Sequence, residues 1–310
     1  MRLLIYISIA SIVLSSCDYV ENPIPVSTGD FDWSLYPYDT ASTPYPYDLN
    51  NPESNWTANT NTDRNILLED YTGHYCTSCP AAADSAKSIE DAYPNRVFVA
   101  SLHASTNGFF QRVEAPEFTT DYTTTAGTAY CTEIPNFGGN PTGTVNRFSE
   151  SPTYNNHWYF DDEWRGAVND QIANAPLLAN LQLKYNYYEQ TNGLFIHTES
   201  ELKSNLSGNY SLVIYLIRET CVSAQEFSTG VDHHYHHHAV LSNNINGTWG
   251  TSIVNGNATN GDKFYNDFSY QLPDPSTDST YNVDNLSLIT YLCDRNSFEI
   301  IQVIKTELNP

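Results

Sequence analysis

The sequence predicts an α/β domain followed by an all-β, immunoglobulin-like sandwich, and three observations predict it. Cys76 and Cys79 stand between a run with strand character and a run with helix character. After Pro176 the chain changes to short stretches of alternating apolar and polar residues. Hydrophobic residues make up 40% of the 310 and aromatics 13%, which supplies packed cores rather than a disordered chain. A chain of 310 residues fits about two domains.

Residues 65–70 (NILLED) read as a strand entering a core. Beyond Asp70 comes the run Cys76-Thr77-Ser78-Cys79-Pro80, and 81–93 follows as a helix with Ile89 on its apolar face and Pro94 as its stop. Residues 96–103 (RVFVASLH) carry the β-branched and aromatic content of a second buried strand. Strand, CxxC at a helix start, helix, strand is the thioredoxin-like order. A strand at 144–148 and a helix at 161–174 complete a domain over residues 63–176.

That order has a chemical reason. A cysteine at the first turn of a helix has its thiolate stabilised by unpaired backbone N–H groups and the helix dipole. Cys76 is then the attacking thiolate, and Cys79 the resolving thiol that closes the disulfide. Asp70 stands six residues before Cys76, where a buried carboxylate with a raised pKa can shuttle the resolving thiol's proton. Asn140-Pro141-Thr142, just before a strand, reads as a cis-proline loop that packs across the CxxC, with Pro141 presenting a partner chain. His74 and His103 stand where they can bias the thiolate. The alternative is an inert disulfide between Cys76 and Cys79 on a scaffold, because fold does not fix function.

Residues 177–310 form the expected sandwich, with strands at 178–188, 194–202, 210–218, 239–241, 263–272, 286–293 and 298–306. Inside it lies Asp232-His233-His234-Tyr235-His236-His237-His238. On an extended strand His234, His236 and His238 share one face and are candidate ligands for Zn or Cu. Against this, neighbours on one face lie about 6.5 Å apart, and a polar strand edge explains the same residues. Otherwise no cofactor is expected. Of the remaining cysteines, Cys221 and Cys293 are candidates for a bridge within the sandwich, and Cys131 is left odd.

The amino terminus places Arg2 before an apolar run that ends at Leu14-Ser15-Ser16-Cys17. That run is too short to span a bilayer, and it reads as an export signal over residues 1–16. Leu-Ser-Ser-Cys resembles the lipobox of bacterial lipoproteins, with Cys17 as the lipidated residue. Residues 17–62, rich in Pro, Tyr and Asn, read as an extended linker between lipid and globular part. Asp18 and Glu21 resemble a surface-export signal, so the anchor sits in a periplasmic or cell-surface leaflet. With 36 acidic against 13 basic residues and a net charge of -23, nucleic acid is not an expected partner.

Residues 67–80 (LLEDYTGHYCTSCP), 140–147 (NPTGTVNR), 235–241 (YHHHAVL) and 300–303 (IIQV) resemble the twenty-eight-kilodalton outer-membrane lipoprotein family. The resemblance implies a thioredoxin-like domain followed by a β-sandwich, held at the outer membrane of a Gram-negative bacterium. The expected function is a binding or assembly module of a cell-envelope complex that retains a redox-capable CxxC and has protein partners there. An envelope thiol-disulfide oxidoreductase is the alternative, and metal capture by the cluster His233 to His238 a further one.

Overall fold

The computed structural model describes residues 31–150 and 156–309. The expected signal peptide, Cys17 and the first part of the expected linker lie outside the described residues. The protein is mostly β, with two sheets and a few helices.

Strand β1 (Ile66–Thr72) is buried along its whole length. It passes through a tight turn into helix α1 (Cys79–Ala92), whose Pro80 sits in the first turn, where its missing N–H costs nothing. Ala82, Ala86 and Ile89 form the buried stripe of α1, and the helix stops before Pro94 and Asn95, the latter at φ 62°. Strand β2 (Val97–His103) returns parallel to β1, with Asp70 opposite Ser101 and Thr72 opposite His103. Helix α2 (Thr125–Glu133), which the sequence does not predict, is capped by the Thr124 hydroxyl. Strand β3 (Thr142–Val145) pairs antiparallel with the other edge of β1, and α3 (Trp164–Asn174) follows.

Strands β4 (Ala179–Tyr188), β5 (Gly193–Leu202), β6 (Leu206–Phe227), β7 (Gly230–Asn244), β8 (Thr251–Ala258), β9 (Lys263–Gln271), β10 (Leu286–Asp294) and β11 (Ile300–Glu307) make up the rest. The small sheet has the order β4-β5-β9. The large one runs β11-β10-β6-β7-β2-β1-β3, with β8 also paired to β6, so one sheet continues from the region after Pro176 to β1. The junction is a parallel pairing of β7 with β2 at Ser101 and Val240.

Alternation along β6 explains how two cores share one sheet. Leu212, Ile214 and Leu216 face the small sheet with Leu181, Leu194 and Ile196, giving a sandwich-like pair of layers. Val213, Tyr215 and Ile217 face the other way, into the core that holds β1, β2 and α1. A strand buried on both faces reads as a continuous apolar run, which is why 212–217 is LVIYLI.

Residues 31–62 correct one expectation, since they are packed rather than extended. Phe31, Leu35 and Tyr36 cluster with Phe195 on the outer face of the small sheet. Tyr47 stacks on His197 at 3.6 Å between ring centroids, and Tyr45 Oη lies 2.8 Å from His197 Nε2. The prolines break periodicity, but the aromatic rings carry enough apolar area to hold the segment down.

Candidate functional site: a buried disulfide over an unpartnered acid

Cys76 and Cys79 are joined, with S–S 2.09 Å and Cα–Cα 5.3 Å. The local chain makes this pairing natural. The Cys76 N–H donates to the Gly73 carbonyl and the Cys79 N–H to the Cys76 carbonyl, so the turn delivers both sulfurs to the start of α1. Gly73 is required there, because a Cβ would stand 2.6 Å from the Phe110 carbonyl oxygen. Both cysteines are only 1% exposed.

Asp70 lies on β1 and is 0% exposed, and neither carboxylate oxygen has a hydrogen-bond partner among the described residues. Burial, with a smaller contribution from Asp161, pushes its pKa up to about 8, so the carboxyl is largely protonated at neutral pH. Asp70, Cys79, Ser101, His103, Gln225 and His237 share a cavity of about 10 Å³, room for about one water molecule. The structure therefore brings together the sulfur and the acid that the sequence paired.

Of the histidines that line this cavity, His103 and His237 are buried and His238 is exposed, and a third buried one, His74, lies next to His103. His103 has no partner on either ring nitrogen among the described residues, and burial, then the neighbouring His237, lowers its pKa well below the usual value. Burial lowers His237 to about 3, and its Nε2 lies 3.0 Å from Ser223 Oγ. His74 Nε2 lies 2.7 Å from the Arg112 carbonyl, and burial lowers its pKa. All three are neutral imidazoles at physiological pH.

Pro141 follows a cis peptide bond at the start of β3. Register pairs Thr142 with Tyr71, which sets the proline loop beside the end of β1. Gln111 Nε2 ties this corner together, donating to the Thr72 carbonyl at 2.6 Å and to Asn140 Oδ1 at 3.3 Å.

Two alternatives find no support. No group of three or more His, Cys, Asp or Glu side chains among the described residues is placed to hold a metal ion, which leaves the Zn or Cu alternative at His234, His236 and His238 without a supporting arrangement. They lie exposed on β7, a bulge in the pairing with β6 interrupts their alternation, and strand spacing keeps them apart. Cys221 and Cys293 are both free and buried. Cys293 lies opposite Ser211 on β6, and Cys221 is ten residues further along the same strand, roughly 33 Å away. Cys131 is also free and buried, and burial raises its pKa.

Sequence reasoning misses the contribution of the β6–β7 hairpin, since nothing local to Gln225, Tyr235 or His237 shows that they return to the CxxC. It also misses the other face of β1. There Glu69 and Arg147, both fully buried, form a two-pronged ion pair at 2.7 Å for each contact. Thr144 Oγ1 and Tyr215 Oη also donate to Glu69, each at 2.8 Å.

Fold and site together define a mostly β protein of two sheets with a sealed cystine set over a buried acid. A family model described as outer membrane protein Omp28 matches residues 129–310, and the chain belongs to that outer-membrane protein family. The matched residues begin after the cystine. The fold is similar to that of HBP35 of Porphyromonas gingivalis, with a TM-score of 0.55 and 15% identity, covering 81% of this chain and 77% of that one. A domain of the outer membrane lipoprotein Omp28 from Porphyromonas gingivalis aligns at a TM-score of 0.30 and 19% identity, covering 44% of this chain and 93% of that one. No curated protein matches the chain. No helix among the described residues is long and apolar enough to cross a membrane.

Proposed function

We propose that this outer-membrane protein carries out thiol-disulfide exchange at Cys76–Cys79, on a thioredoxin-like unit formed by β1, α1, β2 and β3. The observation that carries the reading is the unpartnered Asp70 on the cavity it shares with Cys79. A buried carboxyl without hydrogen bonds costs stability, and a purely structural cystine needs none beside it. Attack on Cys76 Sγ expels Cys79 as a thiolate. A neutral Asp70 with a pKa near 8 is matched to give that thiolate its proton at neutral pH. The first turn of α1 would stabilise negative charge developing on Cys76. Pro141 would border the partner chain. In this reading Cys17 carries the lipid anchor and the site faces the envelope, in the periplasm or at the cell surface.

The test is a trap. Cys79→Ala leaves Cys76 able to form a mixed disulfide that cannot be resolved, and non-reducing electrophoresis of envelope proteins should show Cys76-dependent adducts. Their complete absence contradicts the reading. A second reading, a binding or assembly module of an envelope complex, is favoured by the low exposure of both cysteines. Purification from membranes separates the two: stable co-purifying partners without exchange activity support the module, and a lone active protein opposes it.

A further inference from the structure

The hairpin formed by β6 and β7 closes over the cystine through main-chain acceptors of the CxxC turn. The Glu226 N–H donates to the His74 carbonyl at 2.7 Å. Gln225 Nε2 donates to the Cys76 carbonyl at 3.1 Å. Tyr235 and His237, from the returning strand, join Cys79 around the cavity. Phe227 pairs with Gly230 at the hairpin end and Glu226 with Val231, so the hydrogen bond to His74 leaves β6 on the side away from β7. The hairpin thus meets the turn as a short added strand would, while its own ladder stays intact.

This contact discriminates between classes of reductant. A small thiol such as glutathione is too short to add a strand that replaces the bonds at His74 and Cys76 together, and it meets two cysteines that are each 1% exposed. An extended polypeptide brings N–H groups that can take over the same carbonyls, as in strand addition. Resting on the exchange reading, we infer that the partner of Cys76–Cys79 is an extended polypeptide segment carrying a thiol pair, and that the tip of the β6–β7 hairpin occupies its place until the segment displaces it.

The step balances. One partner thiolate attacks Cys76 Sγ, the Cys76–Cys79 bond breaks, and its electron pair leaves on Cys79, which takes the proton from Asp70. The partner's second thiolate then attacks the partner sulfur of the mixed disulfide and releases Cys76 as a thiolate. The partner ends as a disulfide, having given up two electrons and two protons. One of those protons restores Asp70.

The experiment uses the full oxidised chain, with alkylation and mass spectrometry counting the thiols freed at positions 76 and 79. Reductants are glutathione and a fully reduced, unfolded ribonuclease at equal thiol concentration. The variants are Glu226→Pro, which removes an N–H that β7 does not use, and Gln225→Ala. Wild type should react about ten-fold or more faster with the polypeptide than with glutathione, and each variant should raise the glutathione rate about ten-fold. A wild-type ratio near one, or variants with an unchanged glutathione rate, overturns the partner assignment while leaving exchange intact. Inertness of every form toward both reductants overturns the exchange reading itself.

Discussion

Glu69 and Asp70 are consecutive residues of β1, both with no solvent exposure, and they are treated in opposite ways. On one face Glu69 accepts from Arg147, Thr144 and Tyr215. Burial alone would lower the Arg147 pKa, yet Glu69 and the tyrosines around it hold it well above its usual value. On the other face Asp70 has no hydrogen-bond partner among the described residues and is driven toward its neutral form. Strand alternation makes this possible, since adjacent residues enter different environments without any change in the backbone. The contrast separates two uses of a buried carboxyl. Full satisfaction gives a clamp, which here ties β1 to β6 and to Arg147 beyond β3, and isolation gives an acid held in its protonated form.

The largest effect comes from breaking the clamp. Glu69→Leu strands Arg147 as a buried unpaired charge and should cost about 3–5 kcal/mol in urea denaturation. Adding Arg147→Met to it should recover most of that loss, since an apolar pair replaces a buried ion pair at little cost. A single variant that unfolds no more readily than wild type would remove the distinction between the faces.

Asp70 should show the reverse behaviour, because its folded pKa of about 8 lies above its ordinary value of 3.8. The folded protein holds a proton that the unfolded chain releases. The favourable contribution is complete below about pH 4, and stability falls by up to about 1.4 kcal/mol per pH unit as pH rises toward 8. Asp70→Asn should flatten that slope and be more stable than wild type by a few kcal/mol, roughly 2–4, at pH 8, while matching it near pH 4. Equal pH dependence of the two proteins would count against an isolated acid. The smallest change probes one hydrogen bond of the clamp. Tyr215→Phe removes one donor to Glu69 and should cost about 1–2 kcal/mol, read from the same urea curves.

The first half of the site was legible because its signals are local. Strand, turn, Cys76, Cys79 and helix follow one another, and Asp70 stands at a fixed distance on the preceding strand. The alternating segments likewise led to the sandwich strands, although β6 and β7 run longer than 210–218 and 239–241 suggest. What stayed hidden depends on residues far apart in the chain. The β7–β2 junction rests on a single paired position, and no local pattern marks it. Alternation along the histidine run holds from Tyr235 to His238, so His236 and His238 share the exposed face and His237 turns inward; the register shift falls at His233 and His234, and strand spacing keeps the exposed rings apart. Arg147 was visible in the sequence, but only the packed structure shows which carboxylate claims it.

The measurement that bears most directly on this account is the rate of Cys76–Cys79 reduction by a reduced polypeptide from pH 6 to pH 10, corrected for reductant thiolate, in wild type and Asp70→Asn. The account predicts a wild-type rate that falls as Asp70 loses its proton near pH 8, and a variant that is slower below that point and shows no break. Superimposable profiles would contradict it, leaving the buried acid without a part in the chemistry of the disulfide.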